Sequence, residues 1–123
     1  MSALLSNTTG AYNTATGFEA LTTATGTSAA DNTATGALAL HATTSGYYDT
    51  ATGVSALYEN TTGYYNVASG VSALFYNLVG HDNTAQGFQA LVNNKGSSNI
   101  GIGSNAGAIS PAGATISISA IWV

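Results

Sequence analysis

The sequence predicts an all-β fold, a parallel β-solenoid (β-roll) of about six coils, from three observations. A pentapeptide that first reads Asn-Thr-Ala-Thr-Gly, from Asn13 to Gly17, recurs along the chain about every 17 residues. Glycines stand at two fixed places in each repeat, which suits two tight corners per coil. The short segments between corners are rich in Thr, Val and Ile, which favours strands over helices.

Each repeat opens with a residue whose short polar side chain suits a turn, because that side chain can hydrogen-bond to its own backbone. We expect copies of this residue to stack into a turn ladder along the rod. Its members are Asn13, Asn32, Asp49, Asn66, Asn83 and Asn99.

The strand comes next. Its first and third residues lie two positions apart, so their side chains share one face. In the last repeat Ile100 and Ile102 stand where the first repeats have threonine, so we expect this face to point into the coil. The residue between them is always small, which indicates close packing against another surface such as a neighbouring subunit. These candidate interface residues are Ala15, Ala34, Ala51, Ala68 and Ala85.

The second half of each repeat reads Gly-x-x-Ala-Leu. Its leucines recur at the repeat period, and we expect them to stack inside the rod. The predicted core ladder is Leu21, Leu40, Leu57, Leu74 and Leu91, together with Ile100 and Ile102.

Aromatic residues gather near the corners, where they cannot all lie inside a narrow coil. Exposed aromatic ladders are typical of interfaces. The sequence therefore predicts self-association, with Tyr47, Tyr48, Tyr64 and Tyr65 as further candidate interface residues.

The repeats span residues 1–109, and residues 110–123 leave the pattern. Apolar and polar residues alternate from Ala114 to Ile121, which predicts a half-buried strand. This strand either caps its own solenoid or joins a neighbouring subunit. We expect residues 114–123 to contact the first coil of the next chain and build a filament. The predicted joint residues are Ile116, Ile118, Ile121 and Trp122.

Composition excludes several classes of function. Charged residues make up 5% of the chain and Lys95 is the one basic residue, so nucleic-acid binding is not expected. No apolar run reaches the roughly 20 residues of a membrane span. His41 and His81 stand at unrelated repeat positions and the carboxylates are scattered. We therefore expect no enzymatic activity, no cofactor and no metal site.

The combined pattern Asn-Thr-Ala-x-Gly-x-x-Ala-Leu-x-x-Asn-Thr-Thr-Gly resembles repeats of phage tail fibres and bacterial surface fibres. The segment from Asn99 to Gly103 is similar to the Asn-Ser-Val-Ala-Ile-Gly repeat in the heads of trimeric autotransporter adhesins. The resemblance covers roughly Ser2 to Gly107. It implies a left-handed, homotrimeric β-roll that lies outside the cell, on a cell surface or on a virion.

The expected function is that of a structural and adhesive fibre protein that assembles with itself into a rod or filament. One alternative is a carbohydrate-binding adhesin, whose exposed tyrosines stack on the sugars of a surface glycan receptor. Another is ice binding through a Thr-x-Thr ladder. That ladder is regular in three repeats, at Thr14 and Thr16, Thr33 and Thr35, and Thr50 and Thr52.

Overall fold

The computed structural model describes residues 2–108 and 116–118, and these residues form strands and turns but no helix. Each of six coils contains one three-residue strand, and a seventh strand follows. The bounds are β1 (Thr14–Thr16), β2 (Thr33–Thr35), β3 (Thr50–Thr52), β4 (Val67–Ser69), β5 (Thr84–Gln86), β6 (Ile100–Ile102) and β7 (Ile116–Ile118). Coils 1 to 6 are numbered after the strands β1 to β6 that they contain.

The seven strands form one parallel sheet in which each strand pairs with the next in sequence. Their register is that of the repeat itself, since Ala34 of β2 pairs with Ala15 of β1 and with Ala51 of β3. Sequential parallel pairing, one strand per coil, is the topology of a β-solenoid. The all-β solenoid predicted from the repeat period is therefore confirmed, with adjacent coils stacked roughly 4.8 Å apart.

The opposite wall of each coil, built from Gly-x-x-Ala-Leu, is stacked by backbone hydrogen bonds as well. The Leu40 amide donates to the Ala56 carbonyl at 3.0 Å, and the Leu57 amide donates to the Ala73 carbonyl at 2.9 Å. Both leucines have a φ of 51°, in the left-handed region that costs a non-glycine residue roughly 1–2 kcal/mol. Burial of the leucine side chains offsets that cost.

Glycine closes each strand because neighbouring coils meet there backbone to backbone. A Cβ on Gly36 would lie 2.6 Å from the Gly53 carbonyl oxygen, and a Cβ on Gly53 would lie 2.8 Å from that of Gly70. The φ angles of Gly36 and Gly53, +131° and +126°, are also ones that other residues rarely adopt. Space and backbone conformation both require glycine at this corner.

The interior of the rod is a narrow apolar ladder. The leucines are 0% exposed, and so is the alanine that precedes each of them. The sequence places these leucines in the core, and that is where they lie: Leu21, Leu40, Leu57, Leu74 and Leu91.

The prediction that Ile100 and Ile102 point into the coil is wrong. They are 38% and 41% exposed, whereas Gly101 between them is buried. The reason is lack of space, since the leucine of the opposite wall already fills the interior. A Cβ added to Gly101 would lie 2.6 Å from Leu91 Cγ, so only a very small residue fits on the inward side of the strand.

The same geometry corrects the assignment of the middle strand residues to a subunit interface. These alanines face the core of their own chain, where leucines rather than a neighbouring subunit restrict their size. Four are 0% exposed and one is half-buried against the same cluster: Ala34, Ala51, Ala68 and Ala85, with Ala15 as the half-buried member.

The strand β7 extends the sheet beyond β6. Ile116 pairs with Ile100 and Ile118 pairs with Ile102, so β7 occupies the edge of β6 in its own chain, as a cap does. Both isoleucines of β7 are exposed. The other predicted joint residues, Ile121 and Trp122, and the expected boundary at residue 110 lie outside the described residues.

Candidate functional site

The outer side of the sheet is a flat surface two rows of side chains wide, which we name the strand face. The described side chains of both rows are exposed and uncharged. One row is Thr14, Thr33, Thr50, Val67, Thr84, Ile100 and Ile116, and the other is Thr16, Thr35, Thr52, Ser69, Gln86, Ile102 and Ile118. The chemistry changes along the rod, from hydroxyl-bearing threonines in β1–β3 to isoleucines in β6 and β7.

The predicted turn ladder lies on the inside and links the coils. The Asn32 Oδ1 accepts a hydrogen bond from the Asp49 amide at 2.9 Å, and the Asn66 Oδ1 accepts one from the Asn83 amide at 3.1 Å. All members except the half-buried Asn13 are 0% exposed. Because these side chains bond to the next coil, the ladder stabilises stacking and offers no surface to a ligand.

A second buried ladder was missed by the sequence reasoning. Asn60, Asn77 and Asn94 are 0% exposed and each stands three residues after a core leucine. The Asn77 Nδ2 donates to the Asn60 Oδ1 at 3.0 Å, and the Asn94 Nδ2 donates to the Asn77 Oδ1 at 2.8 Å. The fixed spacing after leucine is the signal that would have found this ladder.

The carboxyl group of Asp49 is buried inside the turn ladder. Its Oδ1 accepts from the amide and the Nδ2 of Asn66 at 2.8 and 3.0 Å, and its Oδ2 accepts from Asn60 Nδ2 at 2.7 Å. Neither ion pair found among the described residues involves it. Burial raises the pKa of Asp49 to about 7, although the hydrogen bonds from Asn66 and Asn60 act in the opposite direction.

In the neighbouring coils the ladder position carries an asparagine, whose side chain both accepts and donates hydrogen bonds. In them the ladder side chain donates to a glycine carbonyl fourteen residues further on. The Asn32 Nδ2 donates to Gly46 at 2.8 Å, and the Asn66 Nδ2 donates to Gly80 at 2.9 Å. A carboxyl group at this place can donate in the same way only when it carries a proton, which an ionised carboxylate lacks.

The predicted interface tyrosines form two stacks at one corner of the rod. Tyr64 lies between Tyr47 and His81, with ring centroids 4.9 and 4.7 Å away and planes nearly parallel. Tyr48 and Tyr65 stack at 5.2 Å and are each 50% exposed. Because Tyr64 has a ring on each face, it presents only its edge, and the flat platform that a sugar needs is covered at this residue.

A second aromatic stack runs along the residues that follow the core leucines. His41 stacks on Tyr58 at 5.0 Å, and Tyr58 stacks on Phe75 at 4.8 Å. A cavity of about 150 Å³ lies beyond Phe75, between coils 4 and 5. Its lining residues are Ser72, Phe75, Tyr76, Gln89 and Val92.

Among the described residues, two histidines each lie beside one carboxylate. His41 Nε2 lies 3.6 Å from Glu19 Oε2, and His81 Nδ1 lies 2.8 Å from Asp82 Oδ2. In residues 2–108 and 116–118 no three acidic or histidine side chains come together as metal ligands would. The same part of the chain has no helix suited to crossing a membrane.

Comparisons with known proteins leave the function to be argued from these surfaces. No family model matches the sequence, and no curated protein or solved structure matches the chain. The resemblance to fibre repeats therefore rests on the recurring motifs alone.

Proposed function

We propose that this chain is a structural and adhesive fibre protein whose copies pack side by side through their strand faces. In this proposal the coils are left-handed, three copies form the rod, and the rod stands outside the cell, on a cell surface or on a virion. The observation that carries the proposal is the apolar end of the strand face. Four isoleucines are exposed there on one continuous sheet: Ile100, Ile102, Ile116 and Ile118.

A second copy of the chain suits this face better than an unrelated partner. Exposed apolar patches of this kind mark interaction sites. Every copy carries the same rows at the same spacing of roughly 4.8 Å, so the strand faces of neighbouring copies match coil for coil when the copies lie parallel around a common axis. The outward residues of β1–β7 include no charge, so like copies meet without electrostatic repulsion.

Sedimentation equilibrium of the purified protein tests the proposal. We expect the wild-type mass to be three times the chain mass of 12.2 kDa. The double variant Ile100→Asp, Ile102→Asp places charges on the strand face without altering the core, so it should be a folded monomer. Val79→Asp is the matched control, because Val79 is 63% exposed and lies outside the strand face.

A monomeric wild type at tens of micromolar contradicts packing through the strand face. A folded double variant that remains associated shows that another surface makes the contact. A stable dimer supports the face but contradicts the number three.

End-to-end joining through residues 114–123 is a separate proposal. Deleting residues 114–123 should leave short particles or insoluble protein, because an open sheet edge and apolar residues remain unpaired. Electron microscopy is the measurement. Long filaments of normal width from the truncated chain would show that these residues are not the joint.

Ice binding is a second candidate, favoured by the outward direction of the threonines. Thr33 and Thr35 are exposed and stand in register with the threonines of β1 and β3, so hydroxyl and methyl groups form a regular flat array. If the array orders water into ice, the protein produces thermal hysteresis that Thr33→Lys removes. Absence of hysteresis in the wild type rejects this candidate.

A further inference from the structure

One aromatic stack ends part-way along the rod, at Phe75. The residues after the core leucines in coils 2, 3 and 4 are His41, Tyr58 and Phe75, and their rings are nearly parallel. Tyr58 covers one face of Phe75, with interplanar angle 11°. The next residue in this row is Val92, which has no ring, so the stack ends there, and Phe75 and Val92 line a cavity together.

That cavity has a volume of about 150 Å³ and lies between coils 4 and 5, and we name it the Phe75 notch. Its other lining residues are Ser72, Tyr76, Gln89 and Val92. The Tyr76 ring stands at 66° to that of Phe75 with centroids 4.6 Å apart, so it forms a side wall. The volume is well below the roughly 300–1,000 Å³ of drug-sized pockets, which restricts the occupant to about one ring.

The polar groups of the notch point to the chemistry of that ring. Ser72 brings a hydroxyl and Gln89 an amide, which together donate and accept hydrogen bonds. Lys95 stands at the rim with its Nζ 5.8 Å from the centroid of the Tyr76 ring. It is the one basic residue of a chain with net charge −4, so the positive charge of the protein is concentrated beside the notch.

We propose that the Phe75 notch binds the ring of an acidic sugar, a uronic acid unit of a polysaccharide. The C–H groups on one face of a pyranose carry partial positive charge and pack on the negative face of an aromatic ring, here Phe75. Ser72 and Gln89 hydrogen-bond the sugar hydroxyls, and Lys95 attracts the carboxylate. The sugar ring packs on the part of the Phe75 ring that extends beyond the shorter side chain of Val92.

This inference rests on the proposed adhesive function, because it names a ligand that such a protein would bind. The notch itself is formed by residues of a single chain. It lies away from the strand face, so binding is expected for monomer and oligomer alike. Failure of sugar binding and failure of self-association are therefore separate results, the first measured by titration and the second by sedimentation.

The test is a titration of the purified protein with galacturonic acid and with neutral galactose, followed by protein NMR. We expect saturable shifts with galacturonic acid at millimolar concentration, centred on Phe75 and Gln89. Val92→Phe places a ring in the notch and should abolish the shifts. Lys95→Gln should weaken galacturonic acid roughly fivefold, as loss of one exposed ion pair does, and leave galactose unchanged.

Val54→Phe is the matched control, since it adds the same ring on another face, at a repeat position where coils 1 and 5 already carry Phe18 and Phe88. It should bind like the wild type. Circular dichroism and melting temperature establish that each variant is folded. The proposal is overturned if the wild type gives no saturable shifts, or if folded Val92→Phe binds as the wild type does. Binding of N-acetyltyrosine amide without galacturonic acid would show instead that the notch receives an aromatic side chain of a protein.

Discussion

Inward-facing positions hardly change from coil to coil, whereas outward-facing positions change in chemistry along the rod. The core position is leucine in coils 1 to 5, and the middle of each strand from β1 to β5 is alanine. The outward neighbours of that alanine pass from Thr50 in β3 to Val67 in β4, and β6 has Ile100. Few side chains fit the narrow interior, so the same residues recur there in each coil, whereas the exterior is where the coils differ in chemistry.

The largest expected difference in stability is between two substitutions to aspartate in coil 3, one on the inward side and one on the outward side. Leu57→Asp should abolish folding, with a loss of more than about 4 kcal/mol, because an unpaired carboxylate would lie in an apolar ladder. Thr50→Asp in the same coil adds the same charge on the exposed side and, at a low protein concentration where the chain is monomeric, should change the free energy of unfolding by less than about 1 kcal/mol. Circular dichroism during thermal unfolding measures both. Equal melting temperatures for Leu57→Asp and the wild type would contradict the inward position of the leucine.

The second contrast concerns Asp49, an ionisable group in the otherwise uncharged turn ladder. Its pKa rises from 3.8 to about 7 on folding, so between those values the folded state retains a proton that the unfolded state has lost. The free energy of unfolding therefore falls as pH rises through this window, by up to about 4 kcal/mol, and levels off above it. Asp49→Asn should remove the fall and stabilise the protein at pH 8.

Denaturant unfolding at several pH values measures this effect. The control is Asp31→Asn, because Asp31 is exposed, and that variant should keep the wild-type pH profile. A wild-type stability that stays level from pH 4 to pH 7 would show that the carboxyl of Asp49 is ionised without cost.

The smallest contrast compares adjacent residues of β4. Ala68→Leu enlarges a side chain that is 0% exposed against core leucines, so overpacking should cost about 2 kcal/mol. Val67→Leu adds a single carbon on the strand face, where Val67 is 45% exposed, and should be nearly neutral in the monomer. Free energies from urea unfolding at low protein concentration compare the two. If Val67→Leu costs more than Ala68→Leu, the assignment of faces in β4 is wrong.

The repeat period made the solenoid predictable, but it left the direction of the strand side chains open. Alternation tells which residues share a face, and the apolar character of Ile100 and Ile102 wrongly predicts that their shared face points inward. The uniformly small residue between them was the better guide, since the inward side of a narrow coil accepts only alanine or glycine. Apolar character alone misleads where the exposed face itself is apolar.

The candidate site was less predictable because it depends on one coil having no aromatic residue at a position where the preceding coils have one. The Phe75 notch exists because Val92 stands where Tyr58 and Phe75 stand in earlier coils, and the sequence alone does not reveal that the rings stack. The burial of Asp49 was likewise hidden, since the turn chemistry shared by Asn and Asp is satisfied equally well at a surface.

The backbone hydrogen bonds between coils also fix how the rod responds to pulling. They all run along the rod axis, so axial tension loads the junctions in series and the weakest junction opens first, whatever the number of coils. An opened coil of about 17 residues extends to roughly 58 Å, against roughly 4.8 Å when stacked. Under tension, the coil that opens is therefore expected to lengthen about twelvefold. This extension dissipates mechanical work before the covalent backbone of the chain is strained.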